Sequence, residues 1–352
     1  TCHGFMRYHD RVSSQNSHES SESFLSGVKE KSLVGSLPSG SIDIIGDIHG
    51  ELEALDSLLA HLGYTQHGHP QGRSLAFVGD LVDRGPDSPG VVRRVKQLVE
   101  AGVAQCILGN HEMNILRGLT KLGNAWLAGK QESLDNSPGP HPQVLANPTE
   151  REEILKFFGT LPLALERDDL RIVHACWDNT CIQLIRNDHC ALETFERHMN
   201  RIDRELETKP ELDTIDRNLR RQNHNPVKVL TSGPEERAVR PFEANGKMRK
   251  QERRRWWMEY KTQPFCIFGH YWRTMVPGLP TGNHLFEDHM AEQALGPGFS
   301  MCIDYSVGGR WRERSNTEFS GRYITRLAAL RWPERVLLYE DGSSFKVGNI
   351  SV

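Results

Sequence analysis

The chain has 352 residues, of which 37% are hydrophobic and 25% charged, and its formal net charge is −3. This is the make-up of an ordinary soluble globular protein, long enough for one large domain or two small ones. It excludes a global electrostatic bias toward nucleic acid or membrane, and no apolar run approaches the roughly 18 residues of a spanning helix.

Residues 1–40 read as a disordered tail. Ser13, Ser14, Ser17, Ser20, Ser21, Ser23 and Ser26 lie among His, Glu and Asn with little to bury. His3, His9 and His18 sit in that tail and read as solvated rather than as metal ligands. The chain starts at Thr1 rather than Met, which reads as processing or truncation, and no apolar signal segment is visible. Seven cysteines, an odd number without a compact framework, suit reduced thiols in a cytoplasmic setting.

One domain is expected from 41 to 352. Ile42 to Ile45 opens a strand, and Leu52, Leu55, Leu58, Leu59 and Leu62 form a helical stripe ended by Gly63. Leu75 to Val78 reads as a buried central strand, and Ser88-Pro89 starts a helix whose core face is Val91, Val92, Val95, Leu98 and Val99. Ala104 to Leu108 is a third strand. Asn114 to Leu119 is read as a short helix, and Lys130 to Thr149, with four prolines, as a long surface loop. Arg151 to Phe158 reads as a helix, Leu170 to Val173 as a strand. An Arg-, Lys- and Glu-rich excursion of helices and loops spans about 179–260, a lid candidate. Phe265 to Phe268, Phe299 to Ile303 and Tyr323 to Trp332 are further strands, and Val336 to Leu338 closes a hairpin.

Three polar clusters punctuate the first strands: Gly46-Asp47-Ile48-His49-Gly50, Gly79-Asp80-Leu81-Val82-Asp83-Arg84-Gly85 and Gly109-Asn110-His111-Glu112. Strand–loop–helix units of this kind point their loops the same way, so the clusters are expected to converge on one pocket. Aspartate, histidine and asparagine without thiolate favour Mn, Fe, Ni, Zn or Mg over a soft metal. Two such ions roughly 3.5–4 Å apart clamp a phosphate, and the two oxygens of Asp80 could bridge them. Arg84 offers a planar fork to phosphate oxygens, and His111 a proton to a leaving alkoxide. The bland alternative, loop residues that merely follow strands, explains any one cluster but not three in this order.

These clusters make the chain resemble the calcineurin-like metallophosphoesterases of the phosphoprotein-phosphatase type, whose signature is GDxHG, GDxVDRG, GNHE and two later histidines. The stretch from Val78 to Ser88 is similar to the phosphatase domain of bacterial polynucleotide kinase–phosphatases. His174-Ala175-Cys176-Trp177 and Phe268-Gly269-His270-Tyr271-Trp272 look more like bacterial stand-alone metallophosphoesterases. The resemblance covers most of Ser41 to Leu338 and is weak between about Asn179 and Tyr260. It implies an α/β sandwich of two mixed sheets flanked by helices. It further implies that Asp47 and His49 bind one divalent ion, that Asn110, His174 and His270 bind another, and that Asp80 bridges. Mn is the favoured metal, with Fe, Ni and Zn as alternatives, and a hydroxide between the two ions is the implied nucleophile. Arg84 would hold phosphate and Asp83 would orient His111, the general acid. A second phosphate-binding arginine is expected among Arg237, Arg240, Arg249, Arg253 and Arg255. Asp304 matches an Asp of the related domains and is a candidate partner for the second ring nitrogen of His49.

Three further features stay open at this level. Cys176, Cys181, His189 and Cys190 invite a zinc reading, but their spacing is looser than structural zinc sites show. Arg253, Arg254 and Arg255 beside Trp256 and Trp257 could grip a base or phosphate, or form a solvated face over two core tryptophans. The expected substrate is a phosphorylated small molecule, nucleotide or phosphoprotein, with symmetrical dinucleoside tetraphosphate hydrolysis as an alternative and a metal-dependent binding module as the non-enzymatic one. No stable nucleic-acid or membrane partner is expected. A phosphate loop GxxxxGK[ST] is absent, so no kinase partner domain is read.

Overall fold

The structure is a computed structural model that describes residues 31–121, 123–132, 142–244, 247–261, 264–273, 284–316, 318–348 and 350. Two mixed sheets stack face to face, and the first is centred on β2 (Ile42–Ile45). On one side β2 pairs in parallel with β3 (Ser74–Phe77), which pairs with β4 (Ala104–Cys106). The crossovers are α1 (Leu52–Leu62) and α2 (Ser88–Glu100). On the other side run antiparallel β11 (Ala328–Trp332), β12 (Val336–Tyr339) and β13 (Ser344–Lys346). The second sheet has the order β1 (Val34–Ser36), β5 (Ala164–Arg167), β6 (Leu170–Val173), β9 (Phe265–Phe268) and β10 (Ser300–Cys302). Only the β5–β6 pair in it is antiparallel. This is the α/β sandwich of two mixed sheets that the resemblance implied.

Strand alternation builds the core. Ile42 and Ile44, Ala76, Leu170 and Ile172, Phe265 and Ile267, Met301 and Ile303 fill the space between the sheets. Ile45, Phe77, Leu55, Leu58, Val91 and Val95 pack on the helical side. Asp43 in the central strand is fully buried, and it is tolerated because Arg73 and Arg331 donate to its carboxylate at 2.8 and 3.1 Å. Gly63 ends α1 in the left-handed conformation, and Asp87 caps α2 by accepting from the Gly90 N–H at 2.7 Å.

Several boundaries differ from the sequence reading. The fold begins before Ser41, because Leu33 and Val34 are buried and β1 pairs with β5. His3, His9, His18 and the serine-rich stretch lie outside the described residues, as does 133–141 of the proline-rich loop. A helix α3 spans Asn110–Leu116, and α4 starts at Pro148 rather than Arg151, with Asn147 as its cap. The excursion comprises α5 (Asn179–Ile185), α6 (Ala191–Glu207), α7 (Thr214–Asn223), α8 (Pro226–Ser232) and the antiparallel pair β7 (Glu235–Ala244) and β8 (Lys247–Arg253). A further helix, α9 (Arg310–Ser315), precedes β11.

Candidate metal centre

The loops after β2, β3, β4, β6 and β9 meet at one spot because those strands deliver their carboxyl ends to a common edge. Backbone hydrogen bonds stitch the loops together. Ile48 and His49 N–H both donate to the Asp80 carbonyl, and Gly85 N–H donates to the His49 carbonyl. The buried Glu112 carboxylate accepts from the N–H groups of Asp80, Leu81 and Gly109 at 2.8 to 2.9 Å. From the second sheet, Gly269 N–H donates to the His174 carbonyl, and His270 N–H to Asp47 Oδ2 at 3.1 Å. His49, Asp80, Asp83, Arg84 and His270 all have φ between 48° and 72°. Such left-handed non-glycine residues persist only where the surroundings over-determine them, as at functional sites. Gly269 is required by crowding, since a Cβ there would overlap the Asp47 carboxylate.

Six candidate ligands come together. Asp80 Oδ2 lies 3.7 Å from His49 Nε2 and 3.4 Å from His174 Nε2, while His49 Nε2 is 4.0 Å from Asp47 Oδ2. Asn110 Oδ1 sits 3.3 Å from His174 Nε2 and 2.7 Å from His270 Nδ1. Asp80 belongs to both candidate ion-holding groups, one with His49 and His111 and the other with His174 and His270. The donors fit two divalent ions by chemistry: carboxylate, carboxamide and imidazole, with no thiolate among them. They fit also by tautomer. His49 Nδ1 donates to the Val82 carbonyl at 3.0 Å and His174 Nδ1 to the Val78 carbonyl at 2.8 Å, which turns Nε2 of each ring toward the Asp80 carboxylate.

His111 stands beside this cluster. Its Nδ1 donates to Asp83 Oδ2 at 2.6 Å, and its Nε2 lies 3.9 Å from Asp80 Oδ2. The other Asp83 oxygen accepts from Trp126 Nε1 at 2.7 Å, so both oxygens are held. The Arg84 guanidinium lies over the Trp272 ring at 4.6 Å, with Nη1 2.8 Å from His49 Nε2. Arg253 Nη1 donates to the His270 carbonyl at 3.2 Å, which puts it at the pocket edge.

Other expectations are corrected. Arg255 pairs at 2.7 Å with Asp288 on the surface, and Arg237 with Asp213 and Asp216, so neither reaches the pocket in this arrangement. Asp304 does not serve His49. Its oxygens accept from the N–H groups of Trp272 and Ser306 at 2.9 and 2.8 Å, while a carbonyl takes the imidazole. Trp256 and Trp257 are buried, and Trp257 stacks on Phe268 and Phe286, so they are core rather than a base platform. Among the described residues, Cys176, Cys181, His189 and Cys190 form no group able to hold an ion.

Burial and neighbouring charge polarise the metal-free site. Burial, reinforced by the Arg84 cation, pushes His49 well below the usual imidazole range, and burial with Arg253 does the same to His270. Burial also disfavours charge on His174, but the Asp80 carboxylate outweighs it and lifts His174 to about 10. Asp80 is held well below the carboxylate range, since His174 and His111 overcome its burial. Asp47 is raised, by burial and then by Asp304.

Two contributors carry no signal in the sequence reading. Trp126 has no periodicity to mark it, and Trp272 stands in a quoted motif without a role. A tryptophan flanked by glycines and turn residues near the third cluster is the one available hint for Trp126.

The sequence pattern of the family described as calcineurin-like phosphoesterase matches residues 40–271. The chain is 51% identical over 74 residues to the asymmetrical bis(5'-nucleosyl)-tetraphosphatase PrpE of Oceanobacillus iheyensis, covering 20% of this chain and 30% of that one. It is 37% identical over 134 residues to the symmetrical bis(5'-nucleosyl)-tetraphosphatase of Ralstonia nicotianae, covering 37% and 40%. Against PrpE of Bacillus subtilis it is 34% identical over 141 residues, covering 38% and 56%. The matches thus span 30% to 56% of these relatives' own length. A solved structure of a putative diadenosine tetraphosphatase overlays 90% of this chain and 97% of its own, at 19% identity and a TM-score of 0.42.

Proposed function

This chain belongs to the calcineurin-like phosphoesterases, and from that premise we propose that its pocket hydrolyses phosphate esters of nucleotides, dinucleoside tetraphosphates included, with two Mn²⁺ ions. The position of Asp80 carries the reading: one carboxylate faces His49, His174 and His111 within 3.9 Å. Asp47, His49 and Asp80 would hold one ion, and Asp80, Asn110, His174 and His270 the other. When bound, such a pair offsets phosphate charge and lowers the pKa of water.

The remaining roles belong to this chain's own side chains. Arg84, steadied on Trp272, supplies two parallel N–H donors to phosphate oxygens. Arg253, at the end of β8 and bonded to the His270 carbonyl, would supply the second arginine. His111 delivers its proton from Nε2 to the departing oxygen. Asp83 keeps the Nδ1 proton in place and stabilises the ring's charge, and Trp126 prevents Asp83 from turning away. The names of the curated relatives support nucleotide substrates. No described helix is long and apolar enough to cross a membrane.

The test is a panel with Mn²⁺ supplied: AMP, ATP, diadenosine tetraphosphate, p-nitrophenyl phosphate and a phosphopeptide. Highest kcat/KM on a nucleotide is expected. Preference for the phosphopeptide would remove the nucleotide assignment, and no hydrolysis of any ester would remove the whole reading.

A further inference from the structure

Gln143 lies in the stretch read from sequence as a long surface loop, yet only 6% of it is exposed. Its side chain reaches inward to the second polar cluster. Nε2 donates to the Gly85 carbonyl at 3.2 Å and lies 3.5 Å from the Gly123 carbonyl. Both neighbours are acceptors, so the nitrogen of the amide must face them and not the oxygen. The next residue adds a second tie, because Val144 N–H donates to the Pro86 carbonyl at 2.7 Å. Gln143 is itself held at its backbone by the exposed Gln131. That side chain donates to the Gln143 carbonyl at 2.8 Å and accepts from the Gln143 N–H at 3.2 Å.

These contacts converge on Arg84. Asp83 and Arg84 both have a φ of 72°, and two side-chain-bearing residues in a row keep that left-handed backbone only where neighbours over-determine it. Gly123 supplies one wall, since a Cβ there would lie 3.3 Å from the Arg84 nitrogen and 3.7 Å from Arg84 Cγ and Asp83 Cβ. The Trp272 ring supports the guanidinium at the other end of the side chain. Gly85, the residue that follows, is gripped at both of its peptides. Its N–H donates to the His49 carbonyl at 2.8 Å, and its carbonyl accepts from Gln143. The other functional groups of this loop are pinned separately. Asp80 N–H donates to Glu112 and Asp83 N–H to Ser88 Oγ, both at 2.9 Å.

We propose that Gln143 is a positioning residue for phosphate: by holding Gly85 it fixes the left-handed backbone at Arg84, and so the direction in which the guanidinium fork points. This rests on the phosphoesterase reading above and adds to it a residue that acts through Arg84. A fork rewards accurate aim, because two parallel N–H donors must meet two oxygens together. Without the Gln143 donor the strained stretch gains other backbone states, and phosphate must then select the aimed one. Ion ligands and the His111–Asp83 pair keep their own anchors, so the loss falls on phosphate affinity.

The test is a double-mutant cycle read by calorimetric binding of orthophosphate to the Mn²⁺-loaded protein, which needs no turnover. Gln143→Met keeps the length of the side chain and removes the donor. Its orthophosphate Kd should rise about tenfold, the scale of one charged hydrogen bond lost at Arg84, with Mn²⁺ binding as in wild type. In an Arg84→Ala background the same substitution should change Kd by less than about twofold, since no guanidinium remains to be aimed. Gln131→Ala, a surface change that frees only the Gln143 backbone, should raise Kd by about twofold or more with the same dependence on Arg84. It carries the cycle alone where Gln143→Met does not fold. In turnover, KM should rise for p-nitrophenyl phosphate and for an alkyl phosphate alike, with the ratio of their kcat values unchanged. Equal losses with and without Arg84, weakened Mn²⁺ binding, or an unchanged Kd overturns the inference. If the wild-type protein hydrolyses no ester while orthophosphate binding follows the cycle, Gln143 keeps this role and the phosphoesterase reading falls.

Discussion

Gly308 tests whether the first ion position depends on the packing of His49. Gly308 and Gly309 form a 3-10 turn after β10 that lies flat against the His49 ring. A Cβ at Gly308 would overlap Cδ2 of that ring and lie 2.8 Å from Cγ and 3.1 Å from Cβ. Carbon atoms settle at about 3.5–4.0 Å, so the imidazole must retreat by roughly 1 Å. Ligand distances tolerate only about 0.2 Å, and the retreat also stretches the 3.0 Å bond from Nδ1 to Val82. Gly308→Ala should therefore weaken binding of the first ion by about 10–100-fold, the usual cost of disturbing a ligating histidine's support. Overpacking should destabilise the fold by about 1–3 kcal/mol.

The control is one residue away. Neither glycine has a positive φ, so alanine is conformationally permitted at both. At Gly309 a Cβ meets only Thr325 Cγ2 at 3.3 Å and Trp272 at 3.8 Å. Calorimetric Mn²⁺ titration of the two variants separates packing from backbone effects. Gly308→Ala should retain one ion and lose the tighter stoichiometry of two, whereas Gly309→Ala should stay near wild type. If Gly308→Ala binds two ions with unchanged affinity and turns over normally, His49 is either not a ligand or not positioned by this turn.

Three other outcomes follow from the same geometry. Asp80→Asn should depress occupancy of both ion positions together, measured by elemental analysis after dialysis; loss of one alone would contradict a shared carboxylate. His111→Ala should cost about 10²–10⁴-fold on alkyl phosphates and far less on p-nitrophenyl phosphate, whose leaving group needs no proton; equal losses would assign His111 to binding. In the metal-free protein His174, lifted from 6.5 to about 10, stays protonated across neutral pH. A cation must displace that proton, so apparent Mn²⁺ affinity should rise about tenfold per pH unit between about pH 7 and 9, with proton release in calorimetry. The sign is set by the raised value: the His174–Asp80 pair stabilises metal-free protein fully below 6.5 and is lost as pH climbs through about 10. An affinity flat with pH would refute it.

The parts of the site legible in sequence are those whose cause is local. A glycine beside an aspartate after a β-branched run reports a tight turn at a strand end, and parallel strands then bring such turns together. That is why Asp47, His49, Asp80, Asn110 and His111 can be grouped from spacing, and why α1 and α2 are found from their leucine and valine stripes. Parts whose cause is a contact across the chain were not legible. Trp126 holds Asp83 from 43 positions away, and nothing near Trp126 records that bond. Asp304 was a candidate partner for His49 from the sequence, but the Val82 carbonyl takes that place. The choice depends on Trp272 and Ser306 turning their N–H groups onto Asp304. Trp256 and Trp257 show the converse, because a basic run beside aromatics describes a core edge as well as a binding rim.

The excursion explains why its sequence resembles so little yet matters to the site. Its outer faces carry exposed pairs such as Arg197 with Asp188 and Arg221 with Asp203, each worth well under about 1 kcal/mol and freely exchangeable. Its constrained points are few and buried. Asn225 fixes the start of α8, Gln222 donates to the Gly233 carbonyl at 2.7 Å, and Leu230 and Gly233 meet the His174 and His270 loops. A segment anchored this way can change most of its surface without moving the ligands. What it cannot change without consequence is its seat on the ligand loops, where the Leu230 carbonyl meets Ala175 and Gly233 meets Tyr271. The candidate ligands thus sit on the strand-end loops, and the excursion bears on them through backbone contacts at Leu230 and Gly233.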